Sequence, residues 1–173
     1  MKNHREHQNL AVCKPKQFVI FALDGQRYAL DLSVVEKVIR VVEVTPLPDA
    51  PENILGVINL HGWVIPALDV RKLFHLPEKG PELSDQMIIT RSTHFGAALP
   101  VDEVASVVEC DAQNITVSDE IFPGIVSVKG AAKLNGSIIF IYDLDRFLTH
   151  KSEELKELGL EERGRTSDLG TQQ

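Results

Sequence analysis

From Gln17 onward the chain alternates short apolar runs with turn signals, the patterning of a β-rich protein. Phe18-Val19-Ile20-Phe21-Ala22-Leu23 is rich in strand formers, Asp24-Gly25 is a strong turn signal, and Arg27-Tyr28-Ala29-Leu30-Asp31-Leu32 alternates with period two, which together predict a β-hairpin. Ser33 is placed to cap a short helical turn ahead of a second β-branched run, Val38 to Val44. Thr45-Pro46-Leu47-Pro48-Asp49-Ala50-Pro51 ends that run, because proline cannot donate to a ladder and restricts the residue before it. Two further apolar segments, Leu55 to Leu60 and Trp63 to Leu68, flank His61-Gly62 and predict another hairpin, after which Asp69 can cap a short helix from Val70 to Phe74. Pro77 to Pro81 reads as an internal linker.

Past the linker the order repeats. Met87 to Thr90 and Gly96 to Val101 resemble the first hairpin, and Val104, Val107 and Val108 stand where Val35, Val38 and Ile39 stood. Gly124-Ile125-Val126-Ser127-Val128-Lys129-Gly130 matches Gly56-Val57-Ile58-Asn59-Leu60-His61-Gly62 at an offset of 68, and Tyr142 to Leu148 matches Leu68 to Phe74 at an offset of 74. On this reading the second hairpin is six residues longer, with Asn135-Gly136 as its tight turn. Two copies of such a unit are too few for a solenoid and fit two small β-rich lobes, each with a marginal core, which should pack together or exchange strands. Continuous apolar runs such as Met87-Ile88-Ile89 and Ile138-Ile139-Phe140-Ile141 are expected where both faces of a strand are covered.

Composition narrows the class. At 173 residues, 43% hydrophobic and 25% charged, the chain is suited to one globular domain, or two lobes sharing surfaces. Residues 1 to 16 read as a flexible leader, residues 17 to 150 as the domain with an internal boundary near 77–85, and residues 151 to 173 as a short helix and flexible tail. No apolar run is long enough to span a bilayer, and the opening MKNHREHQNL has no signal-like apolar core, so no direct membrane insertion is expected and the reading is cytoplasmic. A formal net charge of -7 argues against nucleic acid as a partner, since phosphate-tracking surfaces need clustered Lys and Arg. Cys13 and Cys110 lack metal-ligand or redox spacing.

Candidate chemistry is sparse. The chain lacks GxSxG, HExxH, a phosphate-binding loop and a dinucleotide fingerprint, and its histidines, at positions 4, 7, 61, 75, 94 and 150, are scattered singly. Asp69 and Asp143 occupy matching repeat positions that helix capping explains more cheaply than an acid and base pair. Asp102-Glu103 and Asp119-Glu120 read as solvated acids. Trp63, the only tryptophan, reads first as a packing residue and second as a partner anchor. Neither an enzyme nor a cofactor is expected, and catalytic and metal sites are predicted to be absent.

Gly56-Val57-Ile58-Asn59-Leu60-His61-Gly62, followed by Val64-Ile65-Pro66-Ala67-Leu68-Asp69-Val70, resembles the signature hairpin of the CheW-like family. The resemblance extends over nearly all of Gln17 to Leu148, including Tyr28-Ala29-Leu30-Asp31, Thr45-Pro46-Leu47-Pro48 and Ile141 to Leu148. It implies a mostly β fold of two SH3-like five-stranded β-barrel lobes with a shared hydrophobic core, and a non-enzymatic adaptor between chemoreceptor cytoplasmic tips and the regulatory domain of a CheA-type histidine kinase. The implied location is the cytoplasm, with recruitment to membrane-associated receptor arrays. Receptor contact would fall on Val35, Lys37, Gly56, Asn59, His61 and Gly62, and kinase contact on an exposed edge of the first lobe. Two residues depart from the pattern. Members usually carry arginine where His61 stands and glutamate where Lys37 stands, replacing a permanently charged donor fork by an imidazole with at most two donors and reversing a charge. Those departures leave open a CheW-like scaffold for a receptor-kinase pathway other than chemotaxis.

Overall fold

The computed structural model describes residues 15–91, 96–111, 114–117, 128–134 and 136–146. The helix predicted after Ser152, the acids at 119 and 120, and the histidines at 4, 7, 94 and 150 lie outside the described residues. In chain order the strands are β1 (Lys16–Leu23), β2 (Gln26–Asp31), β3 (Val35–Arg40), β4 (Ile54–Leu60), β5 (Trp63–Leu68), β6 (Gln86–Arg91), β7 (Gly96–Val101), β8 (Glu103–Cys110), β9 (Ile115–Val117), β10 (Val128–Leu134) and β11 (Ser137–Tyr142). A 3-10 turn covers Leu32–Val34, a short helix, α1, covers Val70–Leu73, and residues 144–146 are also helical.

Among the described residues the strands form two sheets, ordered β8-β1-β2-β11-β10-β9 and β3-β6-β7-β5-β4. Each half of the chain gives its first hairpin to the other half's sheet: β1-β2 lies beside β11, and β6-β7 lies between β3 and β5. The chain crosses between sheets at the Leu32–Val34 turn and again at Asp102, while residues 77–85 join two strands of the same sheet.

The hairpins follow their turn chemistry. His61 and Gly62 have φ of 54° and 87°, and Asp24 and Gly25 have 52° and 75°, the paired left-handed conformations of a type I′ turn, whose twist matches that of the flanking strands. The Asn59 side chain reinforces the former by accepting from the Gly62 N–H at 2.7 Å. Asp69 caps α1 by accepting from Lys72 N at 3.0 Å, and Asp143 accepts equivalently from Arg146 N at 2.9 Å. Asp31, rather than Ser33, caps the intervening 3-10 turn, because its carboxylate accepts from both the Ser33 N–H and hydroxyl. The β-branched run ends as a strand at Arg40, and Val41 instead donates its N–H to Asp85 O.

The register corrects the repeat. Ile54↔Leu68, Gly56↔Ala67, Val57↔Pro66 and Leu60↔Trp63 in one hairpin become Val128↔Tyr142, Gly130↔Ile141, Ala131↔Phe140 and Leu134↔Ser137 in the other, all displaced by 74. Gly130 is therefore the counterpart of Gly56, not of Gly62, and the two hairpins are equally long. Both glycines sit at a register shift and against a threonine carbonyl: a Cβ on Gly56 would stand 2.2 Å from Thr45 O, and one on Gly130 2.5 Å from Thr116 O. β9 is the longer counterpart of the single Thr45↔Val57 bridge, which is why one lobe counts six strands where five were expected.

Three clusters fill the interior. Phe18, Ile20, Ala29, Ile139 and Ile141 pack within the six-stranded sheet, and Ile58, Ile65, Met87, Ile89 and Ala98 within the five-stranded one. Between the sheets lie Phe21, Leu23, Leu30, Leu68, Ile88, Leu99 and Leu144. Ile88 thus faces one cluster while Met87 and Ile89 face another, so the continuous apolar run in β6 buries both faces. Phe74 closes the shared core by stacking on Tyr28 at 4.3 Å and meeting Tyr142 edge-on at 4.7 Å.

Candidate docking face

One end of the five-stranded sheet gathers most of the predicted contact residues. Val35 pairs with Thr90 at the start of β3, Arg91 pairs with Gly96, and Leu60 pairs with Trp63 across the His61-Gly62 turn. With β7 and β5 parallel, the start of β3, the end of β6, the starts of β7 and β5, and the turn all fall at the same end. Val35, Lys37, Asn59, His61 and Gly62 are therefore brought together. Asn59, His61 and Gly62 are exposed, Lys37 is half-buried, and Val35 packs partly into the shared core. Gly56 is not among them: it is buried, several residues down β4, and adds no side chain or open surface to this end.

The register explains how Lys37 and Glu36 are aimed. Lys37 lies opposite Ile89, on the face that carries Ile39 and the barrel cluster, and is half-buried there. Glu36 is the extra residue of a β-bulge between Val35 and Lys37, which frees it from simple alternation. Its Oε2 pairs with Arg91 Nη2 at 3.3 Å, and the Arg91 guanidinium lies 4.9 Å from the centre of the Trp63 ring. The ring rests on Gly96, where an added Cβ would come within 2.7 Å of Cη2. Arg91 was not singled out by sequence reasoning, because its contacts with Glu36 and Trp63 join strands far apart in sequence and leave no local spacing.

The opposite end of the same sheet is built differently. A cavity of about 650 Å³ lies there, with Val44, Ile54, Leu68, Met87 and Pro100 in its lining. At its rim Arg71 Nη2 contacts both Asp102 oxygens, at 2.6 and 2.8 Å, and Arg71 Nη1 donates to Pro77 O. Lys79 reaches Asp102, Asp85 and Glu82. Asp102 also accepts from the Asp24 N–H at 2.8 Å, which ties the crossover to the β1-β2 turn. Burial by itself would raise the Asp102 carboxyl, but the Arg71 and Asp24 hydrogen bonds and the charges of Arg71 and Lys79 outweigh it and hold the carboxyl below its ordinary 3.8. Asp102 is thus a partly buried clasp rather than a solvated turn acid. Among the described residues no group of three or more His, Cys, Asp or Glu side chains is placed to hold a metal, and no helix is long and apolar enough to cross a membrane.

Two interleaved β lobes that exchange hairpins define the fold class of the protein. The profile of the CheW-like domain matches residues 17–152, and the chain belongs to the CheW-like family. It is 26% identical over 148 residues to the chemotaxis protein CheW of Treponema pallidum, covering 82% of this chain and 86% of that one. Against the chemotaxis protein CheW of Bacillus subtilis it is 27% identical over 146 residues, covering 80% and 90%. The crystal structure of the scaffolding protein TtCheW from Thermoanaerobacter tengcongensis superposes with a TM-score of 0.70 at 34% identity, covering 75% of this chain and 90% of that one.

Proposed function

We propose that the chain is a non-enzymatic adaptor that couples chemoreceptor cytoplasmic signalling tips to the regulatory domain of a CheA-type histidine kinase. The observation that carries this reading is the gathering of Val35, Lys37, Asn59, His61 and Gly62 at one end of a doubly cored β scaffold. The buried strands β6 and β5, to which β3 and β4 are paired, hold these groups in fixed relation, so a change in receptor geometry can bias a bound kinase through the interface rather than through chemistry at a pocket. A reversible contact of this kind needs about 800 Å² per partner or less. The naming of the Treponema and Bacillus relatives as chemotaxis proteins favours chemotaxis over another receptor-kinase pathway. The corresponding location is cytoplasmic, at receptor arrays, with no nucleic-acid partner and no cofactor.

The test is titration of wild type and His61→Arg with a purified chemoreceptor signalling fragment and, separately, with the kinase regulatory domain. Wild type is expected to bind both, and His61→Arg to change receptor affinity while leaving kinase affinity as it was. Retention of neither partner by the wild-type protein overturns the adaptor reading.

A further inference from the structure

The cluster Glu36, Arg91, Trp63 and Gly96 joins β3, β6, β5 and β7 beside the His61-Gly62 turn. Three features make it more than a chance surface ion pair, which alone carries little energy. First, the Trp63 ring packs directly on Gly96, so closely that even a methyl group there would displace it. Second, the guanidinium is held over that ring and by a carboxylate on a β-bulge, yet its side chain stays 51% exposed. Third, Arg91 and Lys37 place two cations beside Glu36 at this end, on a protein of formal net charge -7. Tryptophan and arginine are the residues most enriched where binding energy concentrates, and a pre-positioned guanidinium loses little freedom on docking.

We propose that Arg91, seated on Trp63 beside Glu36, is the specificity-determining residue of this face, selecting a protein surface that presents a carboxylate with an adjoining apolar side chain. The inference rests on the adaptor reading and names the chemistry of its receptor-side contact. Of the five guanidinium donors the Glu36 contact engages one nitrogen, so a partner carboxylate can be taken in a bidentate fork without first breaking that pair. Lysine cannot reproduce either the fork or the flat stacking on indole.

The experiment compares wild type, Arg91→Ala and Arg91→Lys for binding to a purified chemoreceptor signalling fragment and to the kinase regulatory domain, with thermal unfolding and Trp63 fluorescence measured on each. Receptor-fragment affinity should fall about tenfold or more in Arg91→Ala and by several-fold in Arg91→Lys, with kinase affinity and melting temperature near wild type. Gly96→Ala, which removes no polar group, should weaken the same contact and shift the tryptophan emission. Wild-type binding to both partners with Arg91→Ala within twofold of it overturns this inference and leaves the adaptor reading standing. Equal losses toward both partners in Arg91→Lys also overturn it, by showing a structural role. Wild-type binding to neither partner overturns the adaptor reading and this inference with it.

Discussion

Gly56→Ala should cost more stability than any other exchange of glycine for alanine in the hairpins, although the site is silent on the surface. Gly56 holds φ at +147°, a region that side-chain-bearing residues rarely adopt, at a strain of about 1–3 kcal/mol. The new Cβ would stand 2.2 Å from Thr45 O and 2.9 Å from Val44 Cγ1, so the Thr45 segment must withdraw. That segment is held to β4 by two hydrogen bonds, Thr45 N to Val57 O at 2.8 Å and Val57 N to Thr45 O at 2.9 Å, each worth roughly 1 kcal/mol. Together these place the loss at about 3–5 kcal/mol, with a fall in melting temperature on the order of 10 °C or more. Gly62 supplies the contrast: its φ of +87° is left-handed but an added Cβ meets nothing within 4 Å, so Gly62→Ala should cost only about 1–2 kcal/mol. Urea unfolding followed by circular dichroism measures both. A Gly56→Ala midpoint equal to that of Gly62→Ala would refute the argument that Gly56 is kept for barrel closure. The same pair separates fold from contact, since Gly62→Ala should alter receptor binding in a protein that is still folded.

Three other outcomes follow from the clasp and the cores. Asp102, its folded carboxyl held below its unfolded value near 3.8, contributes stability that is complete above that pH and lost as pH falls below it; Asp102→Asn should flatten the acid limb of a stability-pH curve measured by urea unfolding. Phe74→Ala removes a ring that touches Tyr28 and Tyr142 across the shared core and should cost about 2–4 kcal/mol in the same assay, with little change in partner affinities. In a Cys13→Ser background, Cys110 should react with a thiol reagent far more slowly in the native than in the urea-unfolded protein, because burial and the nearby Asp111 charge raise its thiol above the ordinary value.

The hairpins were legible because two-residue turns announce themselves: Asp-Gly and His-Gly adopt the left-handed pairs that their composition favours. Helix capping by Asp69 and Asp143 was legible for the same local reason. That the two lobes should pack together or exchange strands was legible from their marginal cores, but which hairpin crosses to which sheet was not, since a strand covered on both faces carries no periodic mark of which neighbour it joins. The misplaced repeat offset has a similar origin. Alternating glycine and β-branched residues made the segment at 124–130 resemble the one at 56–62, whereas the decisive equivalence was between the pairs Leu60↔Trp63 and Leu134↔Ser137 and between two bulge glycines. Asp102 and Arg91 were opaque because their partners are distant in sequence: Asp102 meets Asp24, 78 residues away, and Arg71, 31 residues away. No spacing rule reaches across such separations.

Duplication left the two sheets alike in their apolar surface and unlike in their charges. Exposed Val64 in β5 has its counterpart in exposed Ile138 in β11, and Val38 in β3 corresponds to Val107 in β8. The polar positions diverge: Glu36 and Lys37 correspond to Ala105 and Ser106, Trp63 to Ser137, and Asn59 to Lys133. The face at the His61-Gly62 turn is also composite, taking Glu36, Lys37 and Trp63 from the first half and Arg91 and Gly96 from the exchanged hairpin of the second. A scaffold that must hold two partners at once requires faces that do not compete for the same partner, and discrimination comes chiefly from charges and desolvated polar groups that fit one surface and clash with another. Shared valine and isoleucine positions leave apolar side chains exposed on both sheets, and the cation over the single tryptophan gives one end its own selectivity.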